Sequence, residues 1–156
     1  MKRLIPLCLI ALLGACAGAP PGPPQHSFDV HATADKPSAS TRTLADPLGQ
    51  AVLVVARAEL TQRDVQRAEV VLGNGGRPGV LVTFDGAASQ RLAQLTERQR
   101  GKALAIVIDG RLRMLPRVSE PVRDGQVMLE GFDSQAEAEA LARQLNALRA
   151  APATER

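Results

Sequence analysis

The chain has 156 residues, enough for one domain with extensions. Of these, 45% are hydrophobic but only 2% aromatic, so any core is aliphatic and stacking platforms for nucleobases or sugars are scarce. The formal charge of +3 includes Lys2 and Arg3 of a terminal leader; without them 17 Lys and Arg face 16 Asp and Glu, a balance that calls for no nucleic-acid partner.

Met1-Lys2-Arg3 is a short positive segment, and Leu4 to Leu13 is an apolar run. A membrane-spanning helix takes about 20 residues, so residues 1–15 read as an export signal peptide. Leu13-Gly14-Ala15-Cys16 resembles the lipobox of bacterial lipoproteins. That resemblance implies cleavage before Cys16 and a diacylglycerol on its thiol. Each buried CH₂ contributes about 0.8 kcal/mol, so two or three acyl chains anchor stably without a spanning helix. Ala17 stands where Asp would signal inner-membrane retention in enteric bacteria, which favours outer-membrane sorting.

Residues 16–49 carry the lipidated cysteine and then a Pro-, Ala- and Ser-rich stretch. Its composition predicts a disordered tether reaching about 30 Å, with His26 and His31 solvated in it. The only thiols are Cys8 and Cys16, so the part beyond them holds no disulfide framework, Cys-ligated zinc or thiol nucleophile.

The domain is predicted over 50–149. Ala51 to Ala56 is a short apolar run that reads as a buried strand. Residues 65–72 alternate, and Gly73 to Gly79 then turns the chain into a strand with Val80, Val82 and Phe84 on one face. The glycine cluster lacks Gly-Lys-Ser/Thr and opens no helix, so it reads as a hairpin loop rather than a phosphate loop. Residues 86–98 place Ala88, Leu92 and Leu95 at helical spacing. Ala103 to Ile108 is uninterrupted apolar strand, and Asp109-Gly110 predicts a two-residue hairpin into a strand where Leu112 and Met114 alternate with Arg111 and Arg113. Val127 and Leu129 mark a further strand. Ser134-Gln135-Ala136-Glu137 is a capping box opening a helix with Ala138, Leu141, Leu145 and Leu148 on one stripe. The order β-β-β-α-β-β-β-α predicts an α+β fold: an antiparallel-rich sheet of about five to six strands with two helices packed on one face. Residues 150–156 read as a disordered tail.

Leu60-Thr61-Gln62-Arg63-Asp64-Val65, Gly76-Arg77-Pro78 and Val82-Thr83-Phe84 resemble the head subdomain of the first periplasmic domain of SecD. The likeness strengthens at Leu95-Thr96, at Gly101-Lys102-Ala103-Leu104-Ala105-Ile106-Val107-Ile108-Asp109-Gly110 and at Pro116. It continues through Gly125, Gly131-Phe132 and the alanine-rich closing helix, covering about residues 58–149. The resemblance implies a module outside the membrane that contacts polypeptides or a translocase or envelope partner. It departs from the family at Leu92, where Phe is usual, at Gln99-Arg100, and after Leu145. No other apolar run is long enough for the helices that drive proton-coupled pulling, so only the recognition half of that role is expected here.

Beyond the tether the domain offers no His, Cys, Tyr or Trp, and Ser89, Ser119 and Ser134 have no base partner. Asp124, Asp133, Glu137 and Glu139 read as a solvated helix terminus. No enzyme activity, cofactor or metal is expected. Residues 91–123 hold eight Lys and Arg against three carboxylates. Arg100, Lys102, Arg111 and Arg113 are therefore the candidate binding strip, facing an acidic partner. In the alternative reading, a structural or interaction lipoprotein unrelated to secretion, the same strip meets anionic lipid or lipopolysaccharide.

Overall fold

The computed structural model describes residues 27–150; residues 1–15, read above as a signal peptide, Cys16, His26 and residues 151–156 lie outside them. The architecture is α+β with every strand pairing antiparallel and two helices. Strand β1 spans Phe28–Ala32, β2 Thr41–Ala45, β3 Ala51–Val55, β4 Leu60–Thr61, β5 Val65–Leu72 and β6 Pro78–Phe84. Helix α1 spans Gly86–Arg98, β7 Leu104–Ile108, β8 Arg111–Met114, β9 Gln126–Leu129, and α2 Gln135–Ala150 closes the fold.

Two of these strands correct the sequence reading. Residues 28–45, assigned there to the tether, form β1 and β2. The Pro- and Ala-rich average over 17–49 hid a short alternation, Phe28, Val30 and Ala32, whose side chains are all buried. β1 lies inside a four-stranded sheet of order β4-β1-β7-β8, paired with β4 on one side and β7 on the other. It is a central strand. His31, read as a solvated tether residue, is only 2% exposed.

The strands also divide over three sheets where one was expected. β5-β6-β9 form the second sheet and β2-β3 a separate hairpin. The period-two pattern places each strand correctly but carries no information on which sheet receives it. The main core gathers Phe28, Val30 and Ile106 from the first sheet, Val80, Val82, Phe84 and Leu129 from the second, and the apolar stripes of both helices. A smaller cluster of Val54, Ala105, Val107 and Leu112 lies where the β2-β3 hairpin covers the other face of the first sheet. β7 is therefore buried along its whole length, which explains its uninterrupted apolar sequence. β3, read as buried, has only Val54 fully enclosed because it is part of the cover.

The turns follow their chemistry. Asp109 and Gly110 have φ of 54° and 71°, the two positive values a tight hairpin needs, and Ile108 pairs with Arg111 across them. Asp85 caps α1 by accepting from the Ala88 N–H at 2.7 Å. At α2 the Ser134 hydroxyl accepts from the Glu137 N–H at 3.2 Å, while the Glu137 carboxylate reaches back to the Asp133 N–H at 3.0 Å, one residue before the expected position.

Candidate functional site

The four basic residues singled out in the sequence fall into two groups. Arg100 and Lys102 precede β7, whereas Arg111 lies opposite Ile108 at its far end and Arg113 stands beside its middle, between the partners of Ile106 and Val107. The antiparallel pairing places Ala103 opposite Arg117, and Arg117 donates to the Gly101 carbonyl at 3.0 Å, so the near group is Arg100, Lys102 and Arg117. Lys102 is paired with Asp35 of the loop after β1.

Arg111 and Arg113 stay together. A bulge between the Ile106–Met114 and Val107–Leu112 pairs makes Arg113 an extra residue on β8. Leu112 consequently faces the smaller cluster and Met114 the main core, although simple alternation puts them on one side. Both arginines line two adjoining surface depressions. One, of about 600 Å³, lies against the β2-β3 turn with Leu44, Pro47 and Leu112; the other, of about 430 Å³, lies against α2 with Phe132, Leu141 and Glu137. Arg113 Nη2 reaches Glu137 Oε1 at 2.6 Å, with both side chains more than a third exposed, so this pair is worth little energetically. The arrangement gives apolar floors with walls of both charge signs. Among the described residues no group of three His, Cys, Asp or Glu side chains is placed to hold a metal, and no helix is long and apolar enough to cross a membrane.

The family model for the SecDF P1 head subdomain matches residues 38–150. The chain belongs to this family. It is 35% identical over 83 residues to the protein translocase subunit SecD of Acidaminococcus fermentans, covering 53% of this chain and 20% of that protein. Against the protein translocase subunit SecDF of Thermus thermophilus it is 36% identical over 83 residues, 53% of this chain and 11% of that one. The chain thus spans a fifth or less of these relatives. A solved structure of SecDF, a membrane component that enhances protein export, superposes with a TM-score of 0.63 over 78% of this chain and 62% of that one; at 24% identity this shows a shared fold.

Two features of this P1 head are not evident from its sequence. One is the buried imidazole of His31, whose Nδ1 donates to the Val55 carbonyl at 2.9 Å and whose Nε2 accepts from Arg42 at 3.2 Å. A histidine within an apolar alternation was the available signal. The other is the outer edge of β5, where the Asn146 carboxamide of α2 pairs with Ala68: Oδ1 accepts from its N–H at 2.9 Å and Nδ2 donates to its carbonyl at 2.8 Å. An isolated Asn in an alanine-rich helix signals a partner only once the fold is known.

Proposed function

We propose that this chain is a lipid-anchored, periplasm-facing P1 head module, non-catalytic, that contacts polypeptides or translocase and envelope proteins beside the export pathway. The match of residues 38–150 to the SecDF P1 head carries this reading, since the curated relatives that share it are protein translocase subunits. The depressions beside Arg111 and Arg113 support it chemically. Apolar floors accept varied side chains, and walls of mixed sign do not select strongly by charge, which suits a binder of many sequences. The separation of Arg100 and Lys102 from Arg111 and Arg113 leaves a purely anionic lipid surface as the poorer fit.

Acylated Cys16 would hold the module against a membrane. Only residues 17–26 separate it from the described fold, and ten residues span at most about 36 Å even fully extended. The test is photocrosslinking in intact cells from a probe at Arg111 in the full lipoprotein. Recovery of exported polypeptides or translocase subunits is the expected result; a product profile identical to that of a probe-free control overturns the proposal.

A further inference from the structure

We infer that the outer edge of β5 at Val70 and Leu72 is a strand-addition site for an apolar extended segment of a polypeptide. The inference rests on the polypeptide-contacting role proposed above and names where and how one such contact is made.

The backbone directions follow from the register. Gly73 donates to the Arg77 carbonyl at 2.8 Å, and residues 67 to 72 pair with β6 without interruption, so odd-numbered residues of β5 turn their N–H and C=O groups toward β6. Even-numbered ones turn theirs outward. Ala68 shows this directly, because both of its outward groups are taken by Asn146. That carboxamide is a side-chain copy of a peptide group, and it closes one end of the edge with the geometry an added strand would use. The next outward residues, Val70 and Leu72, receive no hydrogen bond from the described residues.

The side chains there are also uncovered. Val70 is 36% and Leu72 79% exposed, two of the large apolar residues left in water. On the opposite face Val71 is half-buried, alongside Leu81 and the 39% exposed Met128. A strand laid against this edge would therefore meet apolar neighbours on both faces, while its backbone satisfied the free groups of Val70 and Leu72. The β8 edge, by contrast, is blunted. β8 carries a bulge, two arginines and a following Pro116, devices that resist pairing.

The length of the edge selects the occupant. Asn146 stops it at Ala68 and the turn at Gly73 stops it at the other end, so a twofold pairing of two copies through it would bury far less than the roughly 1,000 Å² a stable dimer needs. A single extended segment, bound weakly, fits.

The experiment uses the full chain and two synthetic probes, a six-residue peptide of alternating Thr and Val and the same peptide N-methylated at alternate amides. The parent peptide should bind, and N-methylation should weaken binding about tenfold by removing the backbone bonds alone. Val70→Pro should weaken it by a similar factor, since its N–H is not used in the β6 ladder; Val70→Lys, which keeps the backbone, provides a second variant. Circular dichroism of each variant must match the parent chain. Equal binding of both peptides, no binding of either, or unchanged binding by the folded variants overturns the inference. So does a dimer that disappears in the Val70 variants, which would assign the edge to a second copy. Peptide binding that ignores Val70 leaves the polypeptide-contacting role intact, whereas failed crosslinking in cells removes that role without altering the peptide result.

Discussion

Arg42 donates to Nε2 of His31, and this contact orients a buried ring. Guanidinium has no acceptor, so Nε2 must present its lone pair; the Val55 carbonyl has no donor, so Nδ1 must carry the hydrogen. The ring thereby joins β1 to both strands of the covering hairpin. His31→Phe keeps a ring of similar size but leaves the Val55 carbonyl without its donor, and should cost about 1–3 kcal/mol. Arg42→Ala should cost less, because Arg42 is exposed and water replaces it. Urea midpoints of the two variants check the order.

The position of β1 yields a second prediction. A fragment of residues 50–149, the domain read from the sequence, lacks the strand that fills the space between β4 and β7 and buries Phe28 and Val30 fully. It should show no cooperative thermal transition, while residues 27–150 should fold. Calorimetry on the two fragments distinguishes them. A cooperative transition in the shorter one would mean that β1 is dispensable.

What the sequence revealed depended on how local the signal was. The α1 stripe, the Asp109-Gly110 turn, the apolar β7 and the Ser134 cap each lie within one element, and the structure has them where the residues indicate. β1 was missed because its five residues sit within proline-rich neighbours and gain their stability from partners more than 70 residues away, such as Ile106 and Ile108. The placement of the four candidate basic residues was hidden for a related reason: the charge count over residues 91–123 has no direction, whereas the fold sets Arg111 opposite Ile108 at the hairpin end of β7 and Lys102 before its other end. The bulge at Arg113 then reversed the expected facing of Met114 relative to Leu112, a shift of one residue that period-two reasoning cannot detect.

The anchor is tested independently of the fold. Cys16→Ser removes the proposed acylation site, and the variant should persist as an unprocessed precursor or appear in the soluble envelope fraction. Fractionation with carbonate washing gives the answer. A variant that is processed normally and remains in the membrane pellet would exclude lipidation as the attachment.

Thr96 is a polar pin in the core. Its side chain is fully buried; the hydroxyl donates to the Leu92 carbonyl at 2.8 Å within α1 and accepts from the Val122 N–H at 2.9 Å. The second bond fixes the long connection between β8 and β9 to the helix. Thr96→Val keeps the shape and leaves the Val122 N–H unpaired in a half-buried site, at a cost of about 1–3 kcal/mol. Hydrogen exchange should accelerate at Val122 ahead of the residues of β7. Uniform acceleration would mean that the hydroxyl only supports the helix.

Gly125 combines two constraints that a double substitution separates. Its φ of +69° disfavours any side chain, and a Cβ built there would stand 2.1 Å from Ser89 Oγ of α1. The glycine is held in this conformation by the bond from Phe84 N–H to its carbonyl at 2.9 Å, which joins the end of β6 to the start of β9. Gly125→Ala should therefore destabilise by more than the roughly 1–2 kcal/mol of left-handed backbone strain alone. Adding Ser89→Gly removes the collision but not the strain. Its own cost in an α1 turn is about 0.5–1 kcal/mol relative to a residue with a side chain. Denaturant unfolding of the full cycle should give a favourable coupling between the two changes, because the steric part of the Gly125→Ala penalty exists only while residue 89 has a side chain, both Oγ and Cβ of Ser89 lying within 2.8 Å of the added Cβ. Purely additive penalties would show that the backbone conformation, and not the approach of α1, is what requires glycine here.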